Sequence, residues 1–234
     1  PTTYYAFEGA IGSAIALKRA ADGGHLSSVA VIGLGAGSLA CHFKPGESWT
    51  FFEIDEEVLR LAQDSRHFRF LRDCGPEMSI VLGDARLTLP QEAGKNSILI
   101  IDAFSSDSIP IHLLTKEALG MYLSKLNDKG ILVAHITNRH LDLSRVLARV
   151  GAEHGLVTYL NEEAGIPPDV QRSQLRFPSI VAVLTRKAEH VGALTVHPAW
   201  KLVEPEMARR PWTDDYSNIF EAILDRARQS PDRR

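Results

Sequence analysis

Five carboxylates and three glycines stand out by type and spacing. Gly33, Gly35 and Gly37 follow the apolar run Val29-Ala30-Val31-Ile32; Glu53, Asp55, Asp84 and Asp102 each stand at the end of a further apolar run, and Asp107 follows Asp102. Glycines at the end of a buried strand let the backbone turn tightly and approach a ligand, with a helix N-terminus behind them. Glu53 lies 20 residues after Gly33, a spacing at which a carboxylate accepts hydrogen bonds from both ribose hydroxyls. Gly83-Asp84-Ala85 supplies an acceptor for an adenine amino group. Ser38 stands where the dinucleotide pattern prefers Gly or Ala for close helix packing. The chemistry is therefore recognition of a nucleoside, with an adenosyl sulfonium favoured over a dinucleotide. Taken singly, each acid is equally an ordinary helix cap or loop residue. Their shared place at successive strand ends is what capping alone does not explain.

The elements that must position these groups follow from the apolar pattern. Residues 29–32, 49–54, 78–82, 97–101, 131–136, 156–160 and 179–184 read as seven short strands, the last two as an antiparallel pair around the loop 161–178. Between them, 9–21, 38–43, 56–64, 115–126 and 143–154 carry helical spacing, with Asn127-Asp128-Lys129-Gly130 closing the fourth of these. Strands alternating with helices predict an α/β fold with a mostly parallel sheet covered on both faces. In such sheets the ligand crevice lies outside the carboxyl ends of the strands, so the glycine loop, Glu53, Asp84 and Asp102 are expected at one rim. The loop Asp102–Pro110 holds two carboxylates around Ser105-Ser106. It reads as a lid over the crevice or, alternatively, as a plain strand-to-helix connection with Asp107 in a turn.

Composition narrows the function classes. A chain of 234 residues with 44% apolar content buries the core of one domain: a lead-in helix over 1–25, a nucleotide-binding core over 26–186 and an extension over 187–234. A net charge of −3 carries no electrostatic footprint for nucleic acid. No apolar run reaches the roughly 18 to 20 residues that span a bilayer. The two cysteines, Cys41 and Cys74, are expected to form no disulfide framework, which fits a reducing, cytoplasmic compartment. Nine histidines show no metal-ligand spacing, so no metal is expected. His135, inside a strand, reads as a satisfied core histidine rather than a catalytic one, and Phe68 and Phe70 as core residues. The chain begins at Pro1, and a piece of something longer is the expectation. The tail from Arg226 is polar and expected to fray.

With these residues in view, the sequence resembles the polyamine aminopropyltransferases, or spermidine synthases. The likeness is carried by VAVIGLGAG (29–37), FFEID (51–55), GDA (83–85) and IIDAFSSDSIPIHLLTKEAL (100–119). It implies the Rossmann-like fold of adenosylmethionine-dependent methyltransferases, a seven-stranded sheet, and decarboxylated S-adenosylmethionine as co-substrate. The resemblance further implies that Gly33, Gly35, Gly37, Glu53, Asp55, Asp84 and Ala85 bind the adenosyl group, that Asp102 lies beside the reacting amine, and that Asp107 anchors a small cationic amine such as putrescine. Asp102 is then base or orienter, since an amine must lose a proton before it attacks the carbon next to a sulfonium. Some bacterial relatives fuse this domain behind membrane-spanning segments, and PTTYY before a Gly-rich helix looks like that group. A homodimer stays open.

The chain also departs from the family pattern. Spermidine synthases usually carry an acid in the glycine loop to receive the aminopropyl ammonium, and here that place holds Ala36. The N-terminal β-strand domain and the tyrosine motif before the first strand are not found, and Tyr4 and Tyr5 are either stand-ins or packing residues. Two alternatives therefore stay open: a small-molecule methyltransferase using S-adenosylmethionine, and a non-catalytic adenosyl-nucleoside binding module. Trp212-Thr213-Asp214-Asp215-Tyr216 reads as an aromatic and acidic cluster closing the substrate side, with Asp215 and Tyr216 as substrate contacts, or else as the cap of a last helix at Asp214 or Ser217.

Overall fold

The computed structural model describes residues 3–75, 77–104, 109–163 and 165–229. Among these residues eight strands form one sheet: β1 (Ser28–Ile32), β2 (Ser48–Glu53), β3 (Ser79–Leu82), β4 (Asn96–Ile101), β5 (Leu126–His135), β6 (Val157–Glu162), β7 (Ile180–Thr185) and β8 (Lys201–Val203). Their order is β3-β2-β1-β4-β5-β7-β6-β8. The pairs from β3 to β5 are parallel, whereas β7 runs antiparallel to both β5 and β6. The expected α/β class and the antiparallel pair are present. β8 is an eighth strand beyond the seven expected, because three edge residues, two of them exposed, carry no apolar alternation.

Among the described residues eight α-helices accompany the sheet: α1 (Ala10–Ala21), α2 (Glu56–Gln63), α3 (Phe70–Cys74), α4 (Ala85–Thr88), α5 (Lys116–Ser124), α6 (Leu143–Ala152), α7 (Pro168–Gln174) and α8 (Ile219–Gln229). Alternation along the strands divides the core into two layers. Ile32, Leu99, Ile101, Leu132 and Ala134 face Leu119, Tyr122, Leu147 and Val150 of α5 and α6. Val31, Ile98, Ile100, Val133 and Val183 face Ile11 and Ile15 of α1 and Ala62 of α2. A sheet buried on both faces explains why its central strands read as continuous apolar runs.

Several local expectations are corrected. Asn127–Gly130 belongs to β5 instead of closing α5, since Asn96 pairs with Leu126 and draws the strand back to it. Ser38–His42 is a 3-10 turn. Phe68 is exposed and Phe70 only half-buried, because the segment before α3 lies at the rim outside the core. The last helix begins at Ile219, with Asn218 Oδ1 accepting the Glu221 N–H, and runs to Gln229, so Arg226 is still helical; the rest of the polar tail lies outside the described residues. Cys41 and Cys74 are joined in a disulfide. The turn after the glycine loop packs on α3, which brings together cysteines far apart in sequence, and their number carries no argument for a reducing compartment. Among the described residues no helix is long and apolar enough to cross a membrane.

Candidate functional site

Because β1, β2, β3 and β4 are parallel neighbours in register, their carboxyl ends finish side by side. A cavity of about 390 Å³ opens there, lined by Gly33 and Gly35 after β1, Glu53 at the end of β2 and Asp55 after it, Gly83, Asp84 and Ala85 after β3, and Asp102 to Phe104 after β4. Ile32, Phe52, Ile54, Val58 and Leu113 give it apolar walls, and Tyr5, Pro110 and His112 complete it. Its size suits a nucleoside-sized ligand.

The glycine loop is what lets the strand ends come close. Gly33 donates its N–H to Phe52 O at 2.8 Å, and Asp102 donates its N–H to Ile32 O at 2.8 Å. A Cβ on Gly33 would stand 2.4 Å from the Asp102 carbonyl oxygen, and its φ of +99° is left-handed in any case. Only glycine fits there.

Glu53 is 7% exposed. Its Oε2 accepts the Leu34 N–H and its Oε1 the Asp55 N–H, both at 2.9 Å. These donors fix the carboxylate in the cavity wall, and each oxygen keeps a second lone pair for a ligand hydroxyl. Asp55 and Asp84 each combine the two readings open in the sequence. Asp55 accepts the Glu57 N–H at the start of α2 and Asp84 accepts the Arg86 N–H at the start of α4, both at 2.8 Å, and both still face the cavity. A cap therefore holds each acid at its place in the site.

Asp102 sits at the inner end, where its Oδ1 meets His135 Nδ1 at 2.8 Å. The Tyr5 hydroxyl faces the same carboxylate; burial first, and then that charge, push it far above the ordinary phenol range. Tyr5 is thus a site residue, reached from the chain's N-terminal turn. Its carbonyl is held by His42 Nε2 at 2.7 Å, and burial lowers the pKa of His42 to about 4.

Not every predicted residue arrives. Gly37 turns with φ +80° against Leu71 and does not line the cavity. Asp107 lies outside the described residues. Asp215 and Tyr216, expected as substrate contacts, do not line the cavity, and the Tyr216 ring lies under the Arg210 guanidinium at 3.9 Å. The cluster instead braces the wall from behind. Trp212 is buried in the core, and Asp214 takes both oxygens to Arg86 at 2.7 Å and a hydrogen bond from Thr115 Oγ1 at 2.7 Å. These contacts, Arg86 first, hold the Asp214 carboxyl down to about 2. Arg86 also donates to His112 O at 3.2 Å, so the strap fixes the turn that carries the cavity's outer wall. Phe104 and His112 line the cavity and His135 bonds Asp102 from behind it, and the sequence assigns a site role to none of the three. Position after a strand end was the available signal for Phe104 and His135.

No family model matches the chain. A polyamine aminopropyltransferase of Vibrio vulnificus (strain CMCP6) is 31% identical over 113 residues, which cover 46% of this chain and 36% of that protein. The match therefore spans about a third of the relative's length. In fold, a probable spermidine synthase from Corynebacterium glutamicum superposes with a TM-score of 0.58 at 17% identity, covering 88% of this chain and 80% of that one. A putative O-methyltransferase from Klebsiella pneumoniae superposes with a TM-score of 0.53 at 14% identity, covering 80% and 84%. The fold is thus shared with a probable spermidine synthase and with a putative O-methyltransferase. In sequence, the chain is similar to the polyamine aminopropyltransferases, as the four motifs around this cavity imply.

Proposed function

We propose that the chain is a spermidine synthase-like transferase, moving an aminopropyl group from decarboxylated S-adenosylmethionine to a small amine of the putrescine type. One observation carries the reading: four carboxylates, Glu53, Asp55, Asp84 and Asp102, line one apolar-walled cavity whose only basic lining side chain among the described residues is His112. A sulfonium and an ammonium are both stabilised in such a field. A donor with a free carboxylate lacks a dedicated cation there, because Arg86 is already paired with Asp214.

In this reading Glu53 binds the ribose hydroxyls and Asp84 the adenine amino group. The amine nitrogen attacks the carbon beside sulfur, the C–N bond forms as the C–S bond breaks, and the bonding pair leaves with sulfur as a neutral thioether. Asp102 orients the amine, accepts its proton and passes it to solvent. Asp107 anchors the far ammonium by a charge-assisted hydrogen bond.

Ala36 favours a second reading, methyl transfer from S-adenosylmethionine, since the glycine loop offers no acid for an aminopropyl ammonium. Calorimetry and turnover with both donors separate the two. Tighter binding of the decarboxylated donor, with methylthioadenosine and an extended polyamine as products, is the expected result. Adenosylhomocysteine and a methylated acceptor would overturn it, and binding without turnover on any amine would leave a binding module.

A further inference from the structure

Asp102 is not held by the cavity alone. Behind it stands His135, 2% exposed at the end of β5. The imidazole is enclosed by three aromatic rings, with centroids 5.2 Å away for Tyr4, 6.5 Å for Tyr5 and 4.8 Å for Phe104. Both ring nitrogens are engaged: Nδ1 with Asp102 Oδ1 and Nε2 with Thr137 Oγ1, each at 2.8 Å. Thr137 Oγ1 also accepts the backbone N–H of Ile180 at 2.8 Å, which anchors it to the first residue of β7.

One direction of donation satisfies this chain with a neutral ring. The Ile180 N–H donates to Thr137 Oγ1, the Thr137 O–H donates to Nε2, and the remaining ring proton sits on Nδ1 and donates to the carboxylate. A ring N–H fixed by the partner of the other nitrogen is the usual way in which a histidine is held to one tautomer. The ring and the Tyr5 hydroxyl together hold the Asp102 carboxylate in the cavity wall.

We propose that His135 is a positioning residue for Asp102, locked by Thr137 as the neutral Nδ1–H tautomer. It takes no proton in the reaction. The proton released by the attacking amine goes to Asp102 and from there to solvent, while the imidazole keeps the carboxylate in the geometry that attack requires. This role rests on the aminopropyl-transfer reading; the tautomer and the pairing do not.

The test has two arms. In the first, long-range proton–nitrogen correlation spectra are recorded on the histidine-labelled chain with methylthioadenosine. They are expected to show Nδ1 protonated and Nε2 bare at His135, and Thr137→Val is expected to weaken that pattern. An Nε2–H ring or an imidazolium would overturn the proposal. In the second arm, His135→Asn retains an N–H near the Nδ1 position, whereas His135→Leu removes it. The Leu variant is expected to lose about 10- to 100-fold in kcat, the range seen when a supporting hydrogen-bond partner is removed. Its affinity for methylthioadenosine should be unchanged, and the Asn variant should recover most of the loss. Thr137→Val, which keeps the ring and its packing, is expected to lower kcat in the same direction. Equal kcat in the Leu variant and the parent chain, or equal losses in the Leu and Asn variants, would overturn the role. A parent chain inactive with every amine would overturn the transfer reading and with it the role in catalysis, while the spectra would still decide the pairing.

Discussion

Glu53→Gln is the perturbation that reads the cavity most finely, because it changes one atom and almost no volume. Both carboxylate oxygens of Glu53 accept backbone N–H groups at 2.9 Å, from Leu34 and from Asp55. An amide offers one acceptor oxygen, so its NH₂ must face one of those donors. The variant loses one charge-assisted hydrogen bond and leaves a buried donor unmatched, a cost of about 1.5 to 3 kcal/mol. For a chain of this size that corresponds to a fall in Tm of roughly 3 to 12 °C. The same NH₂ removes an acceptor that two ribose hydroxyls need, so nucleoside binding should weaken by about 2 to 4 kcal/mol, or roughly 30- to 1,000-fold in Kd. Thermal melts give the first quantity and calorimetry with methylthioadenosine the second. A variant that melts lower yet binds the nucleoside with the parent's Kd would refute the assignment of Glu53 to the ribose, because only the structural half of the argument would survive.

The other expectations follow from the same geometry. Asp102→Asn should lower kcat by about 10²- to 10⁴-fold while calorimetry shows methylthioadenosine binding unchanged; loss of binding would reject the role beside the amine. His42 has a folded pKa near 4 because of burial, so between that value and the ordinary range near 6.5 the unfolded chain binds the extra proton. Stability should therefore fall as pH drops from about 6.5 through 4, by up to about 3 kcal/mol, and urea titrations of His42→Gln should show a flatter dependence across that window. Cys74→Ser opens a disulfide between residues 33 apart and should cost about 3 to 4 kcal/mol in the chain-entropy account, read as a lower urea midpoint.

Much of the site was legible because its residues stand at the ends of strands. Runs such as Val29–Ile32 and Ser97–Ile101 are buried on both faces, so they announce themselves as apolar blocks, and whatever polar residue follows each block is delivered to one rim. Glu53, Asp84 and Asp102 were found in this way. What stayed hidden depends on which distant surfaces touch. The Tyr5 hydroxyl reaches Asp102 only because the N-terminal turn folds over the rim, and Arg86 with Asp214 joins residues 128 positions apart. Cys41 and Cys74 meet for the same kind of reason. His135 reads as a satisfied core histidine, and its bonds are indeed satisfied; one of its two partners is Asp102, at the inner end of the cavity. Phe68 and Phe70 misled because aromatic type says nothing about a segment lying outside the two packed layers.

A crystal structure of the chain with methylthioadenosine tests the account at its centre. The ligand should lie along the carboxyl ends of β1 to β4, with its ribose hydroxyls on Glu53, its adenine amino group on Asp84 and its sulfur toward Asp102. A nucleoside bound elsewhere, or seated with its sulfur away from Asp102, would contradict it.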